Sequence, residues 1–251
     1  MIDTLIETTI GWVNQINGLL WGSILIYLLT GVGIWFTFRL GFIQLKHFFY
    51  MFSVMKHSRN SSNAGISSFQ ALCTTLAARV GTGNLMGVAV AISLGGAGAV
   101  FWMWVIAFFG MATAFAESAL AQLYKEKNEV GQFRGGPAYY MLKGLKNKPL
   151  ALVFSGCLFF GYGFVFSSVQ ANSITDAFNG AYGVDRWLVG AIITTLAAVV
   201  VLGGIKNIAR FAELVVPFMG VAYFLIAISV VALNYEYVPT LVTHIVSSAF
   251  G

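Results

Sequence analysis

The sequence predicts an all-α integral membrane protein with about six transmembrane helices. Three observations predict it. Of the 251 residues, 58% are hydrophobic and 9% are charged, whereas soluble domains carry about 25% charged residues. Mean hydropathy is +0.81. The few charges gather between long apolar runs, and no alternating period or turn signal accompanies those runs. Lipid offers no hydrogen bonds, so such runs must satisfy their backbone groups internally, as helices do.

A helix rising 1.5 Å per residue needs about 20 residues to cross about 30 Å of hydrocarbon. Six stretches qualify. The first runs roughly from Leu19 to Phe38, and the second from Ile66 to Leu94 with an interruption at Gly81 to Gly83. The third covers Ala99 to Leu123, the fourth Leu150 to Ser173, the fifth Trp187 to Gly203 and the sixth Ala212 to Leu233. Between the first two, FIQLKHFFYMFSVMK reads as an amphipathic segment along the membrane surface. Gly135-Gly136-Pro137 makes a turn, and AYYMLKGLK after it a short interfacial helix. Trp102 and Trp104 open the third span as an aromatic belt.

Charge between the spans gives the orientation. Arg39, Lys46, Lys56 and Arg59 fill the first connection without an acid. The 124 to 149 connection holds Lys125, Lys127, Arg134, Lys143, Lys146 and Lys148 against Glu126 and Glu129, and Lys206 and Arg210 follow the fifth span. The opposite side has Asp3 and Glu7, then Asp176, Asp185 and Arg186, then Glu236. Basic and non-basic connections alternate, so the positive-inside rule puts both termini outside and the basic loops in the cytoplasm. The acidic start MIDTLIETT lacks a basic n-region and is expected to be retained.

The same composition excludes whole classes of function. Cys73 and Cys157 sit in apolar runs as small hydrophobes, and His47, His57 and His244 offer no metal-ligand spacing. No HExxH, GxSxG, Walker or kinase pattern occurs, so the chain is not expected to be an enzyme or to hold a cofactor. Its positive residues are loop residues, so no nucleic acid is expected as a partner. Rings of charge or a selectivity loop, as in a channel, are missing.

The second span carries the strongest local signal, Ala77-Ala78-Arg79-Val80-Gly81-Thr82-Gly83-Asn84. An arginine about 20 Å into the membrane marks a functional site by default. GTGN reads either as a helix break, freeing carbonyls for a cation and N–H groups for a carboxylate, or as close helix packing through Gly83 and Gly87. Glu117 near the end of the third span either pairs with Arg79, relays protons or snorkels to the interface. Gln170, Asn172 and Ser173 end the fourth span, as interhelical hydrogen-bonding groups or, for Gln170, as a substrate-facing one.

Taken in order, FQALCTTLAARVGTGNLMGVAVAISLGGAGAVFWMW, AESALAQLYK, GGPAYYM, VQANSI and GGIKNIARFAELVVPFMGVAY resemble the successive signature segments of the alanine or glycine:cation symporter family. Ala97 departs from them, since the family carries proline in GGPGA. The resemblance implies a LeuT-like fold: an extra first helix in 1–63, then the first of two inverted five-helix repeats over 64–238 with a discontinuous helix at 77–87. It implies sodium-coupled symport of a small neutral amino acid, alanine or glycine, in a bacterial inner membrane. Substrate would meet Thr82, Gly83 and Gln170; sodium would meet Ala77, Arg79, Val80 and Asn84. Family members are about twice as long and carry a second broken helix with an SNEAG segment. The resemblance therefore implies that 239–251 is a truncated end and that half of the site is missing from this chain. On that expectation the chain is the first half of a symporter, or else a non-transporting fragment or membrane subunit that needs a second polypeptide.

Overall fold

The computed structural model describes residues 2–56, 66–129 and 133–251. His57 and Arg59 lie outside the described residues, as does the side chain of Asp3. Helix follows helix in the order α1 (Ile2–Leu19), a π segment (Leu20–Ile24), α2 (Leu25–Arg39), α3 (Ile43–Lys46), α4 (Phe48–Lys56), α5 (Ser68–Arg79), α6 (Thr82–Gly95) and α7 (Gly98–Leu123). A two-residue hairpin of β1 (Glu126–Lys127) and β2 (Phe133–Arg134) comes next. Then come α8 (Pro137–Lys143), α9 (Lys148–Phe160), a second π segment (Gly161–Phe166), α10 (Ser167–Tyr182), α11 (Arg186–Leu202), α12 (Gly204–Leu233) and α13 (Val238–Ala249).

Four helical stretches among the described residues are long and apolar enough to cross a membrane: Ile6–Arg39, Gly98–Leu123, Lys148–Tyr182 and Gly204–Leu233. The pair α5 and α6, bent by 42°, passes as a fifth if taken together. Helix α11, at 17 residues, is shorter. Leucine, isoleucine, valine and phenylalanine side chains lie exposed along all the long helices. In water such surfaces would be untenable, whereas lipid solvates them. The chain is a multi-pass membrane protein.

Three span limits differ from the sequence reading. The first helical stretch begins well before Leu19. The fourth does not end at Ser173 but runs on to Tyr182, because its polar residues satisfy one another along the helix: Thr175 Oγ1 donates to the Asn172 carbonyl (2.9 Å) and Asn172 Nδ2 to Asp176 (3.3 Å). Hydropathy falls there while helical bonding continues. Lys206 and Arg210, expected in a loop, belong to the opening turns of α12.

The chain forms two compact units, Met1–Phe49 with Trp102–Ala119, and Tyr50–Phe101 with Leu120–Gly251. In the first, α2 meets the middle of α7 where Gly33 lies under Phe109; a Cβ on Gly33 would stand 3.0 Å from the Phe109 Cβ. One turn on, buried Thr37 donates to the Gly33 carbonyl (2.8 Å) and accepts from Gln44 Nε2 (3.1 Å). Small residues a turn apart let two helix backbones approach without a hydrophobic drive.

In the second unit α5 lies along α12. Cys73, Ala212 and Val216 are buried together with Phe69 packed on them. Gln70 Nε2 donates to Glu213 Oε2 (2.8 Å), and the same Gln70 closes a capping box with Ser67 at the start of α5. Helix α10 packs on α11, helped by Asp185, which caps α11 by accepting from the Trp187 and Leu188 N–H groups, and by the Arg186–Asp176 ion pair (3.1 Å).

Between α6 and α7 the chain turns through Gly96, whose φ of +70° favours glycine, and Ala97, whose φ is −61°. That angle lies in the range proline imposes, and the Ala97 N–H makes no backbone hydrogen bond among the described residues. Ala97→Pro is therefore expected to stabilise the chain by about 0.4–1 kcal/mol, read as a higher unfolding midpoint in detergent. A lower midpoint would show that the turn cannot take the ring.

Candidate functional site

Helical bonding stops and restarts around Gly81. The Val80 N–H still bonds back to the Leu76 carbonyl (2.7 Å), and the ladder resumes when Asn84 and Leu85 donate to the Gly81 carbonyl (3.1 and 3.3 Å). Between these points Val80 (φ −93°, ψ 77°) leaves helical geometry and Gly81 (φ −126°, ψ −174°) is extended. The last carbonyls of α5, from Ala77 to Val80, are at positions where a helix has run out of its own donors; the first N–H groups of α6, from Gly81 to Gly83, are at positions without its acceptors. The two half-helices thus face each other with opposite dipole ends, one favouring a cation and the other an anion.

Two contacts organise the break. Asn84 Nδ2 donates to the Arg79 carbonyl, spanning the gap from one half-helix to the other. From 88 residues away in the chain, Gln170 Oε1 accepts from Thr82 Oγ1 (2.5 Å) and, at longer range, from the Thr82 N–H (3.3 Å). The Gln170 amide then lies over Gly81, where an added Cβ would be 2.8 Å from Nε2. Residue 81 must be glycine for the amide to sit there.

The structure therefore brings Thr82 together with Gln170 and Arg79 with Asn84. Gly81, Thr82 and Gln170 are half-buried, while Ala77, Arg79, Val80, Gly83 and Asn84 are exposed. A Cβ on Gly83 or Gly87 would meet nothing within 4 Å among the described residues, so neither glycine packs against another helix here. Glu117 is exposed on α7.

Gly81 is the residue the sequence reading missed as a contact. Its only sequence signal was the spacing of two glycines around Thr82. Also missed was the π segment Gly161–Phe166 just ahead of Gln170. π-Turns recur at functional positions, and the paired glycines Gly161 and Gly163 were the visible sign of this one.

Comparison with known proteins bears on the same region. The model of the sodium:alanine symporter family matches residues 6–251. The chain is 46% identical over 236 residues to the uncharacterized transporter YaaJ of Escherichia coli, covering 94% of this chain and 50% of that protein. The probable sodium/glutamine symporter GlnT of Bacillus subtilis is also 46% identical over 236 residues, 94% of this chain and 49% of the relative. The sodium/alanine symporter AgcS of Methanococcus maripaludis is 43% identical over 248 residues, 95% of this chain and 54% of the relative. The chain thus spans about half the length of the curated relatives it matches.

Proposed function

The chain belongs to the sodium:alanine symporter family, and from that premise we propose that it supplies one of the two broken helices of a sodium-coupled symporter for a small neutral amino acid, alanine or glycine. The observation that carries the reading is the bond pair from Thr82 to Gln170 across the break. The short Oγ1 bond fixes the Gln170 amide, whereas the long N–H contact is weak enough to be surrendered. A substrate carboxylate would take the Thr82 and Gly83 N–H groups at the positive end of α6, and Gln170 Nε2 would add a third donor. That the relatives include a sodium/alanine and a probable sodium/glutamine symporter supports the substrate class.

Sodium would sit at the negative end of α5, on carbonyls of Ala77, Arg79 and Val80. The Asn84 carboxamide, which now donates to the Arg79 carbonyl, would turn its oxygen toward the ion. Because ion and carboxylate order the same unwound residues, each favours binding of the other. One sodium entering down 100 mV releases about 2.3 kcal/mol, enough for about fiftyfold accumulation. The LeuT-like arrangement belongs to the same proposal: a first helix followed by five spans over 64–238, α11 among them, with both termini outside and the basic connections inside a bacterial inner membrane. At about 26 Å, a 17-residue helix suits a span of this kind.

Asn84→Ala tests the ion site. At the equivalent asparagine of a full-length relative it is expected to abolish sodium-stimulated alanine uptake into vesicles while leaving the protein inserted. Undiminished uptake would remove Asn84 from the sodium site. Vesicles holding this chain alone, compared with vesicles also holding the carboxyl-terminal half of that relative, show which length of polypeptide transports.

A further inference from the structure

Away from the helix break, α8, α9 and the π segment before α10 enclose a groove of about 640 Å³. Pro137 and Tyr139 form one wall, and Phe154, Leu158 and Tyr162 the other. Gly135 and Gly163 also line it, so two stretches of wall carry no side chain. The volume falls within the range of small-molecule sites, and the lining is that of a hydrocarbon ligand.

The rim is basic. Arg134 immediately precedes Gly135 and is exposed. Lys125 abuts Gly135 from the end of α7: a Cβ on that glycine would stand 3.1 Å from the Lys125 Cβ. The Lys125 ammonium is held by Gln122 Oε1 (2.7 Å) and by the face of the ring of Phe133, which precedes Arg134 (4.8 Å to its centre). Farther along the α8–α9 turn stand exposed Lys146 and Lys148, while Lys143 is engaged by Glu126. An apolar slot of a membrane protein with cations at its mouth matches one kind of molecule, which combines a hydrocarbon tail with a negative headgroup.

We propose that this groove binds an anionic phospholipid, with an acyl chain between α8 and α9 and the phosphate against Arg134 and Lys125. Charge complementarity selects the occupant. A zwitterionic lipid would bring its own cation to an already cationic rim, and an apolar polypeptide segment would leave Arg134 and Lys125 without an anion.

The test is native mass spectrometry of the purified full chain after adding dioleoyl phosphatidylglycerol or dioleoyl phosphatidylcholine. Bound phosphatidylglycerol is expected to persist and phosphatidylcholine to be lost. Lys125→Gln combined with Arg134→Gln should weaken retention about thirtyfold, the product of two surface charges. Lys206→Gln combined with Arg210→Gln, the same charge change away from the groove, should leave retention unaltered. Equal retention of the two lipids would overturn the site, and so would an equal loss in both double variants, since either result means unspecific attraction. Ala138→Trp should fill the groove and displace the lipid; undiminished retention would also overturn the proposal. Should that variant fail to fold, p-benzoylphenylalanine at position 155 decides. A photo-adduct with the mass of phosphatidylglycerol supports the lipid, whereas a cross-link to a second copy or another polypeptide refutes it.

Discussion

Gly81→Ala, introduced at the equivalent glycine of a full-length relative, is expected to cut sodium-dependent alanine uptake by about 5- to 150-fold, mainly through a higher KM, and Gly81→Leu to abolish it. The methyl group of alanine would stand 2.8 Å from Gln170 Nε2. That atom ends a flexible side chain, so the amide swings aside and the backbone stays. With it go the Thr82 Oγ1 bond that fixes the amide and the Nε2 donor aimed at the substrate, each contributing about 0.5–1.5 kcal/mol. Leucine would in addition fill the space between the half-helices. A double-mutant cycle separates this account from general damage. If Gly81 acts through Gln170, Gln170→Ala added to Gly81→Ala should cost little more than either alone. Additive losses, or a Gly81→Ala variant with ordinary KM, would sink the account.

Local chemistry was legible in the sequence and distant chemistry was not. The break at residues 80–81 could be read because glycine on both sides of Thr82 weakens a helix wherever it lies. Gln170 could be read from its surroundings only as a polar residue in an apolar run, and its place at the substrate came from the family resemblance. Nothing in the residue pattern itself said that its amide would bond directly to Thr82, because that depends on how α10 packs on α6. The Gln70–Glu213 bond, across 143 residues, escaped notice for the same reason. The ends of α10 and α12 were misplaced because hydropathy measures affinity for lipid, whereas a helix ends where its hydrogen bonding ends. Asn172, Thr175 and Asp176 bond along their own helix, and Lys206 and Arg210 are good helix formers.

Gly98 illustrates a contact invisible to any local reading, and it carries the largest structural prediction. Gly98→Leu is expected to release α13 from the start of α7. A Cβ on Gly98 would lie 2.2 Å from the Ser248 carbonyl oxygen, 2.5 Å from its carbon and 2.7 Å from the Ala249 nitrogen. These are backbone atoms, so no rotamer change relieves the overlap and the helix itself must move. A second hold there is the edge-to-face pair of Phe101 and Phe250, with centroids 5.2 Å apart. Phe250→Ala removes that pair, worth about 0.5–1.5 kcal/mol beyond its area, and so should loosen docking by about two- to tenfold. Amide exchange across 238–249 reads both effects: moderate acceleration for Phe250→Ala, and exchange close to that of an undocked segment for Gly98→Leu. The ordering matters more than either value. If Phe250→Ala loosened the segment more than Gly98→Leu, ring contact and not backbone approach would hold α13 in place.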